Sequence, residues 1–270
     1  MVNIDPTARV APGAQLGKDV TIGPYCVVGA KVSIGDGCQL FSHVHLAGRT
    51  TIGPRTKISA FASLGTPPQS VHYKGEDTAL IIGADCDIRE HVTMNIATAN
   101  GSGVTKVGDR CLIMVGAHVA HDCVIGSNVI FANNAILGGH VEVGDHVFLG
   151  GVCAVHQFVR IGEHAIIGGL AGVAFDVIPY TAVIGNRGEL AGLNRIGLKR
   201  RGFSTADIQK IHQAYRALFF GDGTLKERVE TVAQANAGNA QVMRIVDFIR
   251  AGKSRRLTTP RKLNSDEDAD

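Results

Sequence analysis

The sequence contains no tryptophan, and aromatic residues make up only 5% of it. That scarcity argues against a core built on large rings. No apolar run approaches the ~18 residues that a membrane span requires, and no charged-then-apolar signal pattern opens the chain. A soluble, cytoplasmic protein without an integral membrane segment is therefore expected. The formal net charge is only +3, and no basic stripe is interleaved with aromatics. This argues against nucleic acid as a partner.

Hydrophobic residues reach 45%, enough for a large core in one or two domains, and there are 34 glycines. An aliphatic or aromatic residue recurs every six positions: Val107, Ile113, Val119, Ile125, Phe131, Leu137, Val143, Leu149, Val155 and on to Val173. A period of six is neither helical nor simple strand alternation. It marks hexapeptide repeats of a parallel β-helix, three hexads to a triangular coil. Residues eighteen apart then stack on adjacent coils about 4.8 Å apart, the spacing of paired strands. Stacking places His121 under Gly139 and Gly139 under Gln157. It likewise places Asp122 under His140 and His140 under Phe158. Glycine, asparagine and aspartate near the corners suit the turns such coils need. The six cysteines (Cys26, Cys38, Cys86, Cys111, Cys123 and Cys153) all fall four residues after a repeat's aliphatic position. They read as small reduced core fillers, not disulfides or metal ligands.

The pattern begins at Ile4, breaks near 66–80 and again near 97–106, and ends close to residue 189. The first insertion, Thr66 to Asp77, is polar and proline-bearing, and long loops leaving regular scaffolds are often functional. A small helical domain is expected over 190–252, after a basic connector Leu198–Gly202. Ser204 caps a helix with Ile208, Ile211, Tyr215 and Leu218 on its apolar face, and Thr224 with Glu227 forms a capping-box pattern. A third helix carries Val242, Val246 and Ile249. The helices would cap one end of the solenoid, and a disordered tail is expected over 253–270. The flat sides of such a prism favour self-association, most simply as a trimer.

Six motifs carry a resemblance that spans roughly Ile4 to Ala251. They are Ile22-Gly23-Pro24-Tyr25-Cys26-Val27-Val28-Gly29, Thr105-Lys106-Val107-Gly108 and Ala117-His118-Val119-Ala120-His121-Asp122-Cys123. To these add Ala132-Asn133-Asn134-Ala135, Ala154-Val155-His156-Gln157-Phe158 and Gly197-Leu198-Lys199-Arg200-Arg201-Gly202-Phe203. The chain resembles the UDP-N-acetylglucosamine O-acyltransferases that begin lipid A synthesis in Gram-negative bacteria. The resemblance implies an all-β left-handed parallel β-helix followed by a small α-helical domain, a homotrimer, and active sites between subunits. It implies transfer of an (R)-3-hydroxyacyl chain from the phosphopantetheine of acyl carrier protein to the 3-position of the UDP-sugar, with no other cofactor and no metal.

Acyl transfer to an alcohol needs a base near neutrality, and histidine is the usual choice. The resemblance makes His121 that base, with Asp122 orienting it and the Gly139 amide as oxyanion donor. It places His118, His140 and His156 in the cleft. Gln157 would face the sugar-phosphate end, and Asn194 and Arg200 the diphosphate or uridine. Gly169 is expected to set acyl-chain length, with Arg187 at the far end of the groove. The sequence departs from the family in two places. Ile196 stands where some members carry a carboxylate. The loop reads Pro68-Gln69-Ser70-Val71-His72-Tyr73, with Ser70 and His72 replacing an aspartate and a lysine that contact sugar and donor. The ordinary 3-hydroxyl sugar is the expected acceptor, and without that carboxylate a preference for its 3-amino analogue is the alternative reading.

Three other readings compete. A zinc-dependent β-helix lyase needs converging histidines, yet His118, His140 and His156 are not separated by multiples of eighteen. A non-catalytic scaffold would not need His121. The related N-acyltransferase usually has an added N-terminal uridine-binding domain, for which a repeat opening at Ile4 is expected to leave no room.

Overall fold

The computed structural model describes residues 1–252 and 255–261. Among the described residues twenty-eight short strands form three sheets of eleven, nine and eight strands, the three faces of a triangular prism. Every pairing is parallel except the final hairpin, Thr181–Ile184 with Glu189–Leu193. Where the repeat is unbroken, partners stand eighteen residues apart, as Ile113 with Phe131 and Phe131 with Leu149. Across the two insertions Ile52 pairs with Ile82 and Ile82 with Val107, so each loop is added chain that leaves the ladder in register.

The core is the stack of inward hexad residues, from Ile22 through Phe131 to Val183, nearly all of them fully buried. All six cysteines are buried and free, and several donate to a corner carbonyl, as Cys123 does to Gly138 at 3.2 Å. Burial pushes the Cys123 thiol up to about 12, so it stays a small neutral filler.

The corners correct one expectation. Their left-handed position is shared: Asp19, Gly37, Asp85, Asp122, Asn128 and Asn134 hold it as expected, but so do larger residues, Tyr25, His43, Phe61 and His91 on one edge, His140 and Phe158 on the next, His146, His164 and Tyr180 on the third. Each of these ring-bearing residues accepts about 1–2 kcal/mol of backbone strain and gains a ring neighbour one coil away, as in His43–Phe61 at 4.9 Å and His140–Phe158 at 4.4 Å. The glycines lie one or two residues earlier, where the next coil presses on the backbone. A Cβ on Gly150 would stand 2.5 Å from the Gly169 nitrogen.

Four helices follow: α1 (Arg195–Arg200), α2 (Thr205–Phe220), α3 (Leu225–Ala235) and α4 (Ala240–Arg250). The caps fall where the sequence suggested, with Ser204 accepting from the Asp207 amide and a full capping box at Thr224 and Glu227. α1 occupies the stretch expected to be a connector. It forms because Asn194 caps it and Leu198 is buried. The helices do more than close the end of the prism, since α4 reaches back to an earlier coil: the Phe248 carbonyl accepts from Arg160 and Arg244 pairs with Glu163 at 2.7 Å.

The tail expectation also changes. Residues 255–261 run back over the last coil, with Leu257 bridging to Asp176 and Pro260 to Leu190, while Thr258 is buried. Arg255 hydrogen bonds and a partly buried Leu257 packed on the core anchor this segment. Lys253, Ser254 and 262–270 lie outside the described residues.

Candidate active site

The second corner gathers the chemistry, because the left-handed turn after each strand of the second face projects two successive side chains outward. His121 and Asp122 follow the strand His118–Val119, and Gly139 and His140 stand one coil on. His121 Nδ1 lies 2.8 Å from Asp122 Oδ2. Asp122 is an acceptor, so Nδ1 carries the proton and Nε2 keeps the lone pair. The imidazole lies flat against the Gly139 backbone: a Cβ there would meet ring carbon Cε1 at 2.6 Å and Nε2 at 2.8 Å. Among the described residues the Gly139 amide meets no acceptor.

Asp122 is buried, its side chain only 1% exposed, against 19% for His121. Its Oδ2 also accepts from Thr98, from the amide at 3.0 Å and the hydroxyl at 2.7 Å. Thr98 belongs to the second loop, which the repeat pattern marks only as an excursion. No sequence signal tells what it faces. His140 stands edge-on to His121, ring centres 5.1 Å apart, with Nε2 3.8 Å from Asp122 Oδ2. His118 reaches Thr93 Oγ1 through Nδ1 at 2.8 Å. Burial, and then the neighbouring His121, pull His118 below the ordinary histidine range. Burial likewise lowers His140, with Asp122 opposing it. Both are neutral imidazoles at neutral pH.

The atoms of His121, Asp122 and His140 that could ligate a metal lie within 4.8 Å of one another. This trio differs from the three histidines weighed on sequence grounds. Oδ2 of its carboxylate already accepts a Thr98 amide, a Thr98 hydroxyl and the His121 ring, so donors crowd the oxygen nearest both imidazoles.

Other site residues stand apart. His156 and Gln157 are exposed on the next coil, His156 Nδ1 lying 3.0 Å from the Gln157 carbonyl, and Arg255 donates to that same carbonyl. A groove of about 650 Å³ runs from Asp122 and His140 past Phe158 to Arg160 and Arg255. Ser70 and His72 touch each other in an exposed loop, and no hydrogen bond joins them to His121 among the described residues. Asn194 is buried with its amide engaged: it caps α1 and donates to the His164 carbonyl at 2.9 Å. Arg200 and Arg187 are exposed. Gly169 lies on the first corner, a whole face away from His121, beside exposed Val152 and Leu170.

Two family models match the chain. One, described as bacterial transferase hexapeptide (six repeats), covers residues 105–139. The other, described as UDP N-acetylglucosamine O-acyltransferase, domain 2, covers residues 176–258. An acyl-(acyl-carrier-protein)–UDP-N-acetylglucosamine O-acyltransferase of Azorhizobium caulinodans is 58% identical over 95% of each chain. The protein of that name from Caulobacter vibrioides is 52% identical over 97% of this chain and 99% of its own. A crystal structure of a UDP-N-acetylglucosamine acyltransferase superposes with a TM-score of 0.93 at 41% identity, covering 96% of this chain and 100% of its own. The Campylobacter jejuni UDP-N-acetylglucosamine acyltransferase gives 0.90 at 36% over 96% and 100%. The O-acyltransferase names of the relatives do not favour the 3-amino alternative raised by Ser70 and His72.

Proposed function

The chain belongs to the UDP-N-acetylglucosamine O-acyltransferase family, its prism a left-handed parallel β-helix, and on that premise we propose how its own residues carry the reaction. It transfers an (R)-3-hydroxyacyl group from acyl carrier protein to the 3-hydroxyl of UDP-N-acetylglucosamine, the first step of lipid A synthesis, in the cytoplasm. The observation that carries this reading is the His121–Asp122 pair pressed against Gly139.

His121 Nε2 takes the proton of the sugar hydroxyl as its oxygen attacks the thioester carbonyl. The carbonyl becomes a tetrahedral oxyanion, which accepts from the Gly139 amide. Asp122 holds the ring in the tautomer with Nε2 free and stabilises the imidazolium that forms. The intermediate collapses with cleavage of the C–S bond, and the imidazolium returns its proton to the departing phosphopantetheine sulfur. Neutral His118 and His140 add no positive charge to compete with His121 for protonation. They suit hydrogen bonding to the sugar, with His156 and Gln157 one coil on. The acyl chain arrives on its carrier, so the protein needs no bound cofactor.

The placement of Gly169 supports assembly as a homotrimer. A groove that begins at His121 and ends at Gly169 would take its two walls from different copies, since these residues lie on different edges of one prism. Exposed Val152 and Leu170 on one edge and Phe158 on the other supply apolar walls. Arg200 and the Ser70–His72 loop then reach the sugar and diphosphate from a neighbouring copy. Asn194 acts by positioning α1, which carries Arg200.

The test is to incubate the protein with (R)-3-hydroxyacyl carrier thioesters and UDP-N-acetylglucosamine and to read product masses. One O-linked acyl addition per sugar is expected. Free fatty acid with unmodified sugar would overturn the reading.

A further inference from the structure

The second loop builds a positioning device into the catalytic pair. We propose that Thr98 is a positioning residue: its hydroxyl and amide clamp Asp122 so that the carboxylate presents Oδ2 to the His121 ring. This deepens the site reading above and rests on it.

Three observations converge. Thr98 sends two donors to one oxygen, at 3.0 Å from its amide and 2.7 Å from its hydroxyl, and that oxygen is the one His121 Nδ1 meets at 2.8 Å. The other oxygen, Oδ1, is buried with no hydrogen-bond partner among the described residues. A Cβ on Gly101 would stand 2.0 Å from it, so the loop backbone is packed on the carboxylate. A free carboxylate rotates about its last bond and offers either oxygen. Here the arrangement is one-sided. Every donor is on Oδ2, and the glycine holds the loop close enough for both Thr98 bonds while offering Oδ1 nothing. Below the carboxylate, the Asp122 amide donates to Thr105 Oγ1, at the loop's exit strand. The loop thus grips the residue from both ends, and Asp122 reaches His121 without a solvent-exposed partner to compete.

This assigns a purpose to an interruption of the repeat. An unbroken coil would leave Asp122 to solvent and free to turn. The insertion supplies donors that a two-residue corner cannot. Thr98 touches neither sugar nor thioester, so its removal should lower turnover and leave acceptor binding alone. With one donor fewer, the carboxylate holds the ring proton more tightly, and imidazolium persists to higher pH. The titratable groups facing His121 are Asp122, His118 and His140, and none of them is changed by the substitution.

The experiment measures kcat, the KM for UDP-N-acetylglucosamine and the pH dependence of kcat/KM. Variants are Thr98→Val, Thr98→Ser and Gly101→Ala, with wild type and His121→Ala alongside. Thr98→Val is expected to lose roughly ten- to a hundredfold in kcat, with KM within twofold and the acid limb moved to higher pH. Thr98→Ser, which keeps the hydroxyl, should restore both. Gly101→Ala forces the loop off the carboxylate with Thr98 intact and should repeat the loss, so the test survives if one variant fails to fold. A folded Thr98→Val or Gly101→Ala with wild-type kcat overturns the proposal, as does equal loss in the valine and serine variants. An active His121→Ala would instead overturn the catalytic reading itself.

Discussion

Adding one methyl group at Gly139 should stop the reaction while sparing the fold. The Cβ of Gly139→Ala would stand 2.6, 2.8 and 3.1 Å from three atoms of the His121 ring. Non-bonded carbons settle at about 3.5–4.0 Å, so the ring must retreat by roughly 1 Å. It cannot do so and keep the 2.8 Å bond to Asp122, whose carboxylate is fixed by Thr98. Misplacement of about 1 Å costs on the order of a hundredfold in rate, or about 2.7 kcal/mol of transition-state stabilisation. The backbone bears little of this, because Gly139 is not among the residues with positive φ. The melting temperature should therefore fall by no more than a few degrees. The assay is single-turnover acylation of UDP-N-acetylglucosamine with saturating donor, beside a thermal melt. A folded Gly139→Ala protein within twofold of wild type would refute the reasoning, since the ring would then not be needed where it lies.

Three further perturbations test other parts of the molecule. Gly169→Met should shift preference to shorter acyl donors by at least tenfold: its Cβ would meet only the Gly151 backbone at 3.3 Å or beyond, so the added methylenes, each worth about 0.8 kcal/mol, fill the groove and not the core. Competition between donors of two lengths reads this out, and an unchanged ratio would move the chain's end elsewhere. Asp176→Ala should cost about 3–5 kcal/mol in a denaturant titration, because it strands Arg160, whose Nε it holds at 2.8 Å beneath α4. Stability should fall on acidification through His164. Burial, then His146 and Arg201, lower it to about 4, beneath its unfolded value of 6.5, so its contribution is full above 6.5 and fades as pH drops towards 4. After solvent screening this is on the order of 1 kcal/mol, and His164→Gln should flatten the dependence of the melting temperature over that window.

The hexapeptide period made the prism, its eighteen-residue register and its buried cysteines legible, because each is a consequence of one local repeat. The same arithmetic brought His121 to Gly139 and Asp122 to His140, since stacking is sequence separation turned into space. The caps at Ser204 and Thr224 were legible for a similar reason: capping is settled within one turn. What escaped were the long-range contacts made by chain that leaves the repeat. Thr98 reaches Asp122 across 24 residues of loop and coil. Residues 255–261 look too polar to fold alone, yet they gain Arg255 bonds to the Gln157 and Ala174 carbonyls and a buried Thr258. Asn194 looked free to bind a ligand, and its amide is spent on capping a helix too short to leave an apolar pattern. The corners misled in another way. Stacking between coils offsets the strain that makes glycine the usual occupant of left-handed positions.

The central claim is that His121 is the base for O-acylation of a UDP-sugar. The direct measurement is product formation by wild type and His121→Ala from UDP-N-acetylglucosamine and an (R)-3-hydroxyacyl carrier thioester, followed by mass. The account predicts a 3-O-acyl sugar from wild type and a loss of about a thousandfold or more in the variant, with its fold and UDP-sugar binding retained. Equal product from the two proteins would contradict it.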